Sequence, residues 1–398
     1  MTRGRTAALA GLLLAGYASA TVGAQGIRSG GQQEAPFHEA DAIVAAGVGR
    51  AYPGAVLAVG HGGRLAHLRA FGHLSYEPGA KEAGADTIYD LASLTKVVVT
   101  TTVAMMLVDE GRLDLDARVG DFFPSFRGGA KGQVTVRQLL THTGGFLWWA
   151  PLYKELSGKQ AYLERIAAME LDYAPGTKAV YSDLGIILLG DILERCAGAP
   201  LEELARTRVL GPLEMRDTSY RPEAALLARI APTENDPWRG RLLRGEVDDA
   251  NAFALGGVAP HAGLFGTATD LSHLARMLLD GGVYDGRRLV SRATVELFTR
   301  RAGIPGVTRA LGWDTPGDGS GRRSSVPGEP GYSSAGSLLS ARSFGHTGFT
   351  GTSMWMDPER DLYLILLTNR VHPSRENAGI AAVRARVADA VVRALQAR

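Results

Sequence analysis

The chain of 398 residues carries 43 Lys and Arg against 41 Asp and Glu, a net charge of +2, and 45% of its residues are hydrophobic. This is ordinary globular material with enough apolar mass for one large composite domain or two, and no charge excess points to nucleic acid or a membrane surface as partner. A single cysteine, Cys196, excludes an internal disulfide and a thiol-rich metal cluster; it reads as a core residue on a helical pattern.

The N-terminus has the pattern of a bacterial secretory leader over residues 1–24. Arg3 and Arg5 form the basic start, Ala7 to Ala15 the apolar stretch, and Val22-Gly23-Ala24 a small-residue cleavage site before Gln25. In Leu13-Leu14-Ala15-Gly16-Tyr17 a tyrosine stands where a lipidated cysteine would be needed, so no lipid anchor is expected. Removing the leader takes away two arginines and no acid, leaving a net charge of zero. No later apolar run approaches the ~20 residues of a membrane span. A periplasmic or secreted protein is expected, its oligomeric state open.

Gly26 to Glu34 is polar. Gly54 to Gly60, His61-Gly62-Gly63 and Arg64 to Leu74 read as a β-hairpin. Leu94 to Glu110 is a helical pattern closing at Gly111, and Thr135 caps a short helix through Leu140. Leu184 to Ala197 and Asp270 to Leu279 are further helices, the second capped by Asp270 and stopped by Gly281-Gly282. Residues 315–343 form a long Gly-, Ser- and Pro-rich loop, of the kind that is disordered or functional. Thr352 to Met356 and Leu362 to Leu367 make a second hairpin around Pro358-Glu359-Arg360, and Arg375 to Gln396 a closing helix. Strands at both ends with helices between predict an α/β fold: an antiparallel sheet flanked by terminal helices, with an inserted mainly helical lobe. The expected division is 36–100 plus 262–398 for the sheet region and 101–261 for the lobe.

Only one Ser-x-x-Lys occurs, Ser93-Leu94-Thr95-Lys96, at the start of the first long helix. Residues three apart share a helix face, so the lysine reaches the serine hydroxyl, a poor nucleophile until a base takes its proton. A helix N-terminus also favours developing negative charge and offers free N–H groups. Two more motifs follow: Tyr181-Ser182-Asp183 before a helix, and His346-Thr347-Gly348 opening the C-terminal hairpin. A tyrosine beside a lysine can be held partly as phenolate, a general base toward Ser93. A strand edge of His-Thr-Gly gives a polar rim and close backbone approach at the glycine.

In this order the three motifs resemble the serine penicillin-recognising enzymes, on the branch of class C β-lactamases, D-alanyl-D-alanine carboxypeptidases and related esterases. The resemblance covers nearly the whole mature chain, including Thr135 to Gly145 and Gly263 to Thr267 with Asp270. It implies Ser93 as the acylated nucleophile, Lys96 as its activating partner and Tyr181 as base, then acid toward the leaving group. Asp183, His346, Thr347, Gly348 and Phe349 would bind substrate, His346 to Gly348 on its carboxylate side. The backbone N–H groups of Ser93 and Phe349 would form an oxyanion hole. Asp183 stands where Asn is usual and His346 where β-lactamases carry Lys, which favours ester or peptide donors over β-lactams; Arg322 or Arg323 could supply the missing charge.

The expected function is an exported serine hydrolase cleaving esters or amides without cofactor or metal, carboxypeptidase-like or carboxylesterase-like, on a small-molecule or peptidoglycan-type substrate. The alternatives are a true class C-type β-lactamase and a non-hydrolytic penicillin-binding or wall-sensing protein. A second His-Thr-Gly begins at His142; it follows a helix, so His142 reads as a structural loop residue. His61, His67 and His73 lack metal-ligand spacing and read as surface residues. Trp148 and Trp149 read as cleft aromatics or as packing. The absence of Gly-x-Ser-x-Gly argues against an α/β-hydrolase.

Overall fold

Two hairpins, one near each end of the chain, meet through their apolar strands to form the central sheet. The structure is a computed structural model describing residues 1, 36–317 and 322–397. Apart from Met1, the expected leader therefore lies outside the described residues. Strands β1 (Gly54–His61), β2 (Arg64–Gly72), β3 (Phe344–Thr347), β4 (Ser353–Asp357) and β5 (Leu362–Thr368) are ordered β3-β4-β5-β1-β2. Every pairing is antiparallel. The join between hairpins is β1 against β5, from Ala55 opposite Thr368 to His61 opposite Leu362.

Five helices frame this sheet and the site: α1 (His38–Gly47), α2 (Thr102–Asp109), α3 (Asp183–Ala197), α4 (Ala268–Leu279) and α5 (Ile380–Gln396). Ala55, Leu57 and Val59 pack with Leu364, Leu366 and Trp355 against Ile43 and Val44 of α1 and Val387 and Val391 of α5. The alternate residues Val56, Ala58, Ile365, Leu367 and Met354 join the larger core, with Leu274 of α4 and the helices around α2 and α3. Both faces are covered, so β1 and β5 read as unbroken apolar runs although their side chains alternate. Each buried Val, Leu or Ile contributes roughly 1.5–3 kcal/mol. Register is pinned by shape: a Cβ on Gly60 would lie 1.9 Å from the Tyr363 ring, and the β1–β2 ladder shifts between Val59 and Gly60.

A small second sheet, ordered Tyr89–Asp90, Leu264–Gly266, Ser219–Tyr220, stands beside the first. From its Tyr89–Asp90 edge the chain turns into the helix bearing Ser93 and Lys96. Residues Lys96–Thr101 wind as a π-helical turn before α2, and Thr102 Oγ1 donates to the Val97 carbonyl at 2.9 Å. Such turns recur at functional positions. Residues 94–107 are buried all round, so this helix is a central pillar and not a surface one.

Two boundaries differ from expectation. Helix α4 is capped by Thr267, whose hydroxyl accepts the Asp270 N–H at 3.2 Å, while the Asp270 carboxylate holds the Asp217 N–H and Thr218 hydroxyl, both at 2.8 Å. The closing helix begins at Ile380 and not Arg375, because Arg370 binds the Arg375 and Asn377 carbonyls and Arg375 pairs with Glu234, which holds that stretch as a loop. From Pro36 onward the chain is one compact unit. Among the described residues no helix is long and apolar enough to cross a membrane.

Candidate active site

Ser93 sits in a tight turn. Ala92 before it has φ of +46°, a conformation disfavoured for a residue with a side chain. The buried Asp90 carboxylate supports it, accepting the Ala92 N–H at 2.8 Å with one oxygen and the Asp248 N–H at 2.7 Å with the other. Burial pushes Asp90 up to about 6. Two hydroxyls fasten this turn to the one after β3: Thr350 donates to the Asp90 carbonyl at 2.7 Å and Thr352 to the Leu91 carbonyl at 3.1 Å. Gly348 lies so close that a Cβ would be 2.5 Å from the Leu91 carbonyl oxygen. Among the described residues neither the Ser93 nor the Phe349 backbone N–H has an acceptor. The two linked turns thus each present an unpaired donor, the requirement for binding an oxyanion.

Lys96 is only 2% exposed, and its Nζ meets Ser93 Oγ at 2.9 Å, the His261 carbonyl at 2.8 Å and Asp183 Oδ1 at 2.7 Å. Burial pulls its pKa down, but the Asp183 carboxylate, with the adjacent Tyr181 hydroxyl, outweighs burial and holds it above the usual lysine value. Lys96 is therefore an ammonium that donates to Ser93 Oγ and the His261 carbonyl and is charge-paired with Asp183.

The Tyr181 hydroxyl is buried beside this group without a directed hydrogen bond, and Lys96 Nζ stands 4.9 Å from the ring centroid. Burial pushes the phenol up, Lys96 pulls it down and Asp183 pushes again, for a net rise. This corrects the expectation of a partly ionised phenol: desolvation exceeds the help from Lys96, which Asp183 already neutralises.

Both His-Thr-Gly histidines flank Tyr181. His346 lies 5.8 Å from its ring centroid and His142 only 4.6 Å. Burial, with Arg309 and Lys96 nearby, drives both imidazoles well below the ordinary histidine value. His346 Nδ1 is 2.8 Å from the Thr347 carbonyl and so carries the proton, leaving a bare Nε2. His346 therefore brings no positive charge to the substrate side of the site. The cation is Arg309, which lies 5.3 Å over the Tyr181 ring; its Nη1 makes no hydrogen bond and stands 4.0 Å from Asp314 Oδ2. Arg323 instead turns to the Leu339 carbonyl.

His142 is more than a loop residue. Its carbonyl accepts the Val180 N–H at 2.9 Å and its Nδ1 the Ser182 N–H at 3.0 Å, gripping the backbone on both sides of Tyr181 while the ring stacks between. Its φ of +56° presents the side chain inward. A 1 Å misplacement of a reacting group can cost about 100-fold, so His142→Ala is expected to lower kcat about 10- to 100-fold with a smaller change in KM. Steady-state kinetics checks it; an unchanged kcat would mean Tyr181 does not depend on this grip.

Ser93, Lys96, Tyr181, Asp183, His346, Thr347, Gly348 and Phe349 are thus gathered from three separate segments. Sequence reading passed over Arg309 and Asp90; His142, expected as a structural loop residue, does hold loop backbone and in addition lies against Tyr181, for which the repeated His-Thr-Gly was the one signal. The Beta-lactamase family pattern matches residues 40–389.

The chain belongs to the beta-lactamase family. The N-acetylmuramyl-L-alanine amidase of Bacillus subtilis (strain 168) is 32% identical over 372 residues, 84% of this chain and 81% of the relative. A Salmonella typhi protein with a provisional D-alanyl-D-alanine carboxypeptidase name is 31% identical over 370 residues, 84% and 83% of the two chains. The solved structure of EstCE1, described as a hydrolase with promiscuous acyltransferase activity, shares the fold: TM-score 0.70 at 22% identity, covering 90% of this chain and 98% of that one. This beta-lactamase family member is a serine hydrolase with an antiparallel sheet flanked by helices.

Proposed function

We propose that the chain hydrolyses an amide or ester in a peptidoglycan-type peptide through an acyl group carried on Ser93. The single observation behind this is Ser93 Oγ at 2.9 Å from a buried, charge-paired Lys96, in a turn whose own N–H is unpaired. In this reading Tyr181, once deprotonated, takes the serine proton as Oγ attacks the carbonyl carbon. The Ser93 and Phe349 N–H groups hold the tetrahedral oxyanion. Tyr181 then protonates the departing amine or alcohol, and water repeats the cycle to release the acid. Lys96 stays charged throughout and stabilises the phenolate. The sheet region (36–100 and 262–398) and the inserted lobe (101–261) form the two walls.

Arg309 and Thr347 would receive a substrate carboxylate beside the scissile carbonyl. A hydrogen-bonded charge contributes roughly 1.5–3 kcal/mol, so Arg309→Met is expected to raise KM for a carboxylate-bearing peptide about 10- to 100-fold, well beyond its effect on a neutral short-chain ester. Parallel assays of a D-alanyl-D-alanine peptide, a chromogenic ester and a cephalosporin test both points. Peptide turnover that disappears in Ser93→Ala supports the reading; cephalosporin kcat/KM above that of peptide and ester makes the chain a β-lactamase. The names of the relatives as amidase and carboxypeptidase support the peptide. Export through the 1–24 leader, giving a mature N-terminus near Gln25, is part of the same proposal.

A further inference from the structure

Five aromatic side chains form a continuous ladder that begins at the site and runs away from it. Successive ring centroids are 5.7 Å apart from Trp148 to Trp149, 6.5 Å from Trp149 to Tyr153, 4.7 Å from Tyr153 to Trp238 and 5.9 Å from Trp238 to Phe253. Three of the chain's five tryptophans stand here, and Trp148 and Trp238 are 57% and 44% exposed. The near end touches the reaction centre: the Trp148 carbonyl accepts the Asp183 N–H at 3.0 Å, and Asp183 is the ion-pair partner of Lys96.

Buried polar groups hold the ladder. Asn251, 1% exposed, donates to the Ala150 carbonyl at 2.9 Å and accepts the Tyr153 N–H at 3.0 Å and the Tyr162 hydroxyl at 2.9 Å. That side chain ties the Trp148–Tyr153 segment to the short helix carrying Phe253. Arg239 binds Asp236 and, at 2.7 Å each, the Val247 and Asp248 carbonyls, and its guanidinium lies 4.9 Å over the Phe253 ring beside Trp238. Trp149, Tyr153 and Phe253 are half-buried, while Trp148 and Trp238 are held in place yet exposed, the pattern of a surface that a ligand covers.

We propose that this ladder is an extended subsite for the glycan part of a peptidoglycan fragment, taking pyranose rings against its exposed rings, Trp148 and Trp238, with Trp149 and Tyr153 half-buried between them. The inference rests on the cell-wall peptide reading of the Ser93 site, whose substrate continues into sugar. The open geometry selects the occupant. An alkyl chain on an open ladder keeps half its surface in water and loses half its driving force. A pyranose lays one C–H face on the ring and keeps its hydroxyls solvated, so no polar group is stranded. Lys154, exposed and next to Tyr153 in the chain, would offer those hydroxyls a charged partner; Glu155 is held by Arg165 at 3.0 Å.

The test separates sugar binding from catalysis. Ser93→Ala protein is titrated with an N-acetylglucosamine tetramer, following tryptophan fluorescence and heat. Saturable binding, about tenfold weaker when Trp238→Ala is added and recovered with Trp238→Tyr, is the expected result. In the active protein Trp238→Ala should reduce kcat/KM for a sugar-bearing peptide about tenfold more than for the same peptide without sugar. Absence of saturable binding overturns the subsite, as does an equal loss on both peptides. A selective loss on a decanoyl over an acetyl ester without tetramer binding also overturns it, assigning the ladder to an acyl chain. Tetramer binding with no peptide hydrolysis keeps the subsite and removes the peptide reading.

Discussion

Ser93→Ala should lose at least about 10⁴-fold in kcat/KM on every acyl donor, since removal of a serine nucleophile leaves only positioning and oxyanion binding. A fluorophosphonate probe should add one adduct to the native chain, seen by intact mass, and none to the variant; labelling that persists would remove Ser93 from its role. The variant should fold normally. Ser93 is partly exposed, and Lys96 keeps Asp183 and the His261 carbonyl as partners when Oγ goes. Lys96→Ala is the worse probe. It leaves the Asp183 carboxylate without its counter-charge, and breaking a buried pair typically costs ~3–5 kcal/mol, so lost activity would mix chemistry with folding.

Tyr181→Phe is expected to lower kcat about 10²- to 10⁴-fold, the usual contribution of a general base. Near-native turnover in the folded variant would assign the base elsewhere. The sign of the pH dependence follows from the site. The active form must lose one proton from the coupled Lys96–Tyr181 pair, and both groups titrate above their ordinary values. At neutral pH the competent fraction is small, so kcat/KM should climb about tenfold per pH unit and level off only in the alkaline range, at an apparent pKa belonging to the pair. His142 and His346 stay neutral throughout and give no inflection near 6.5. Asp90, pushed to about 6, titrates below this limb. Asp183 raises both members of the pair, so Asp183→Asn should move the limb to lower pH. A limb that stays in place, or moves upward, would show that Asp183 does not set the charge state.

Much of this was legible because it is local. Three-residue spacing on a helix brings Lys96 to Ser93 whatever surrounds them, and the Thr135 cap with Gln138 follows from a few neighbouring residues. The two hairpins declare themselves by apolar runs and turn residues, and their pairing through β1 and β5 follows from the need to cover both faces. The order of the three motifs carried the family.

The sequence alone determined which residue types are present and how near neighbours along the chain can meet, and that sufficed for the sheet, the Ser-Lys pair and the family. Only the tertiary structure decided the electrostatic state of the site: that Tyr181 rests neutral, that His346 carries no charge, that Arg309 comes to lie over the Tyr181 ring, and that His142 grips the backbone on both sides of Tyr181. Each depends on burial and on charges brought together from segments far apart in the chain. Desolvation and Coulomb energy are set by distance in space and by the surrounding medium, neither of which periodicity or motif spacing contains.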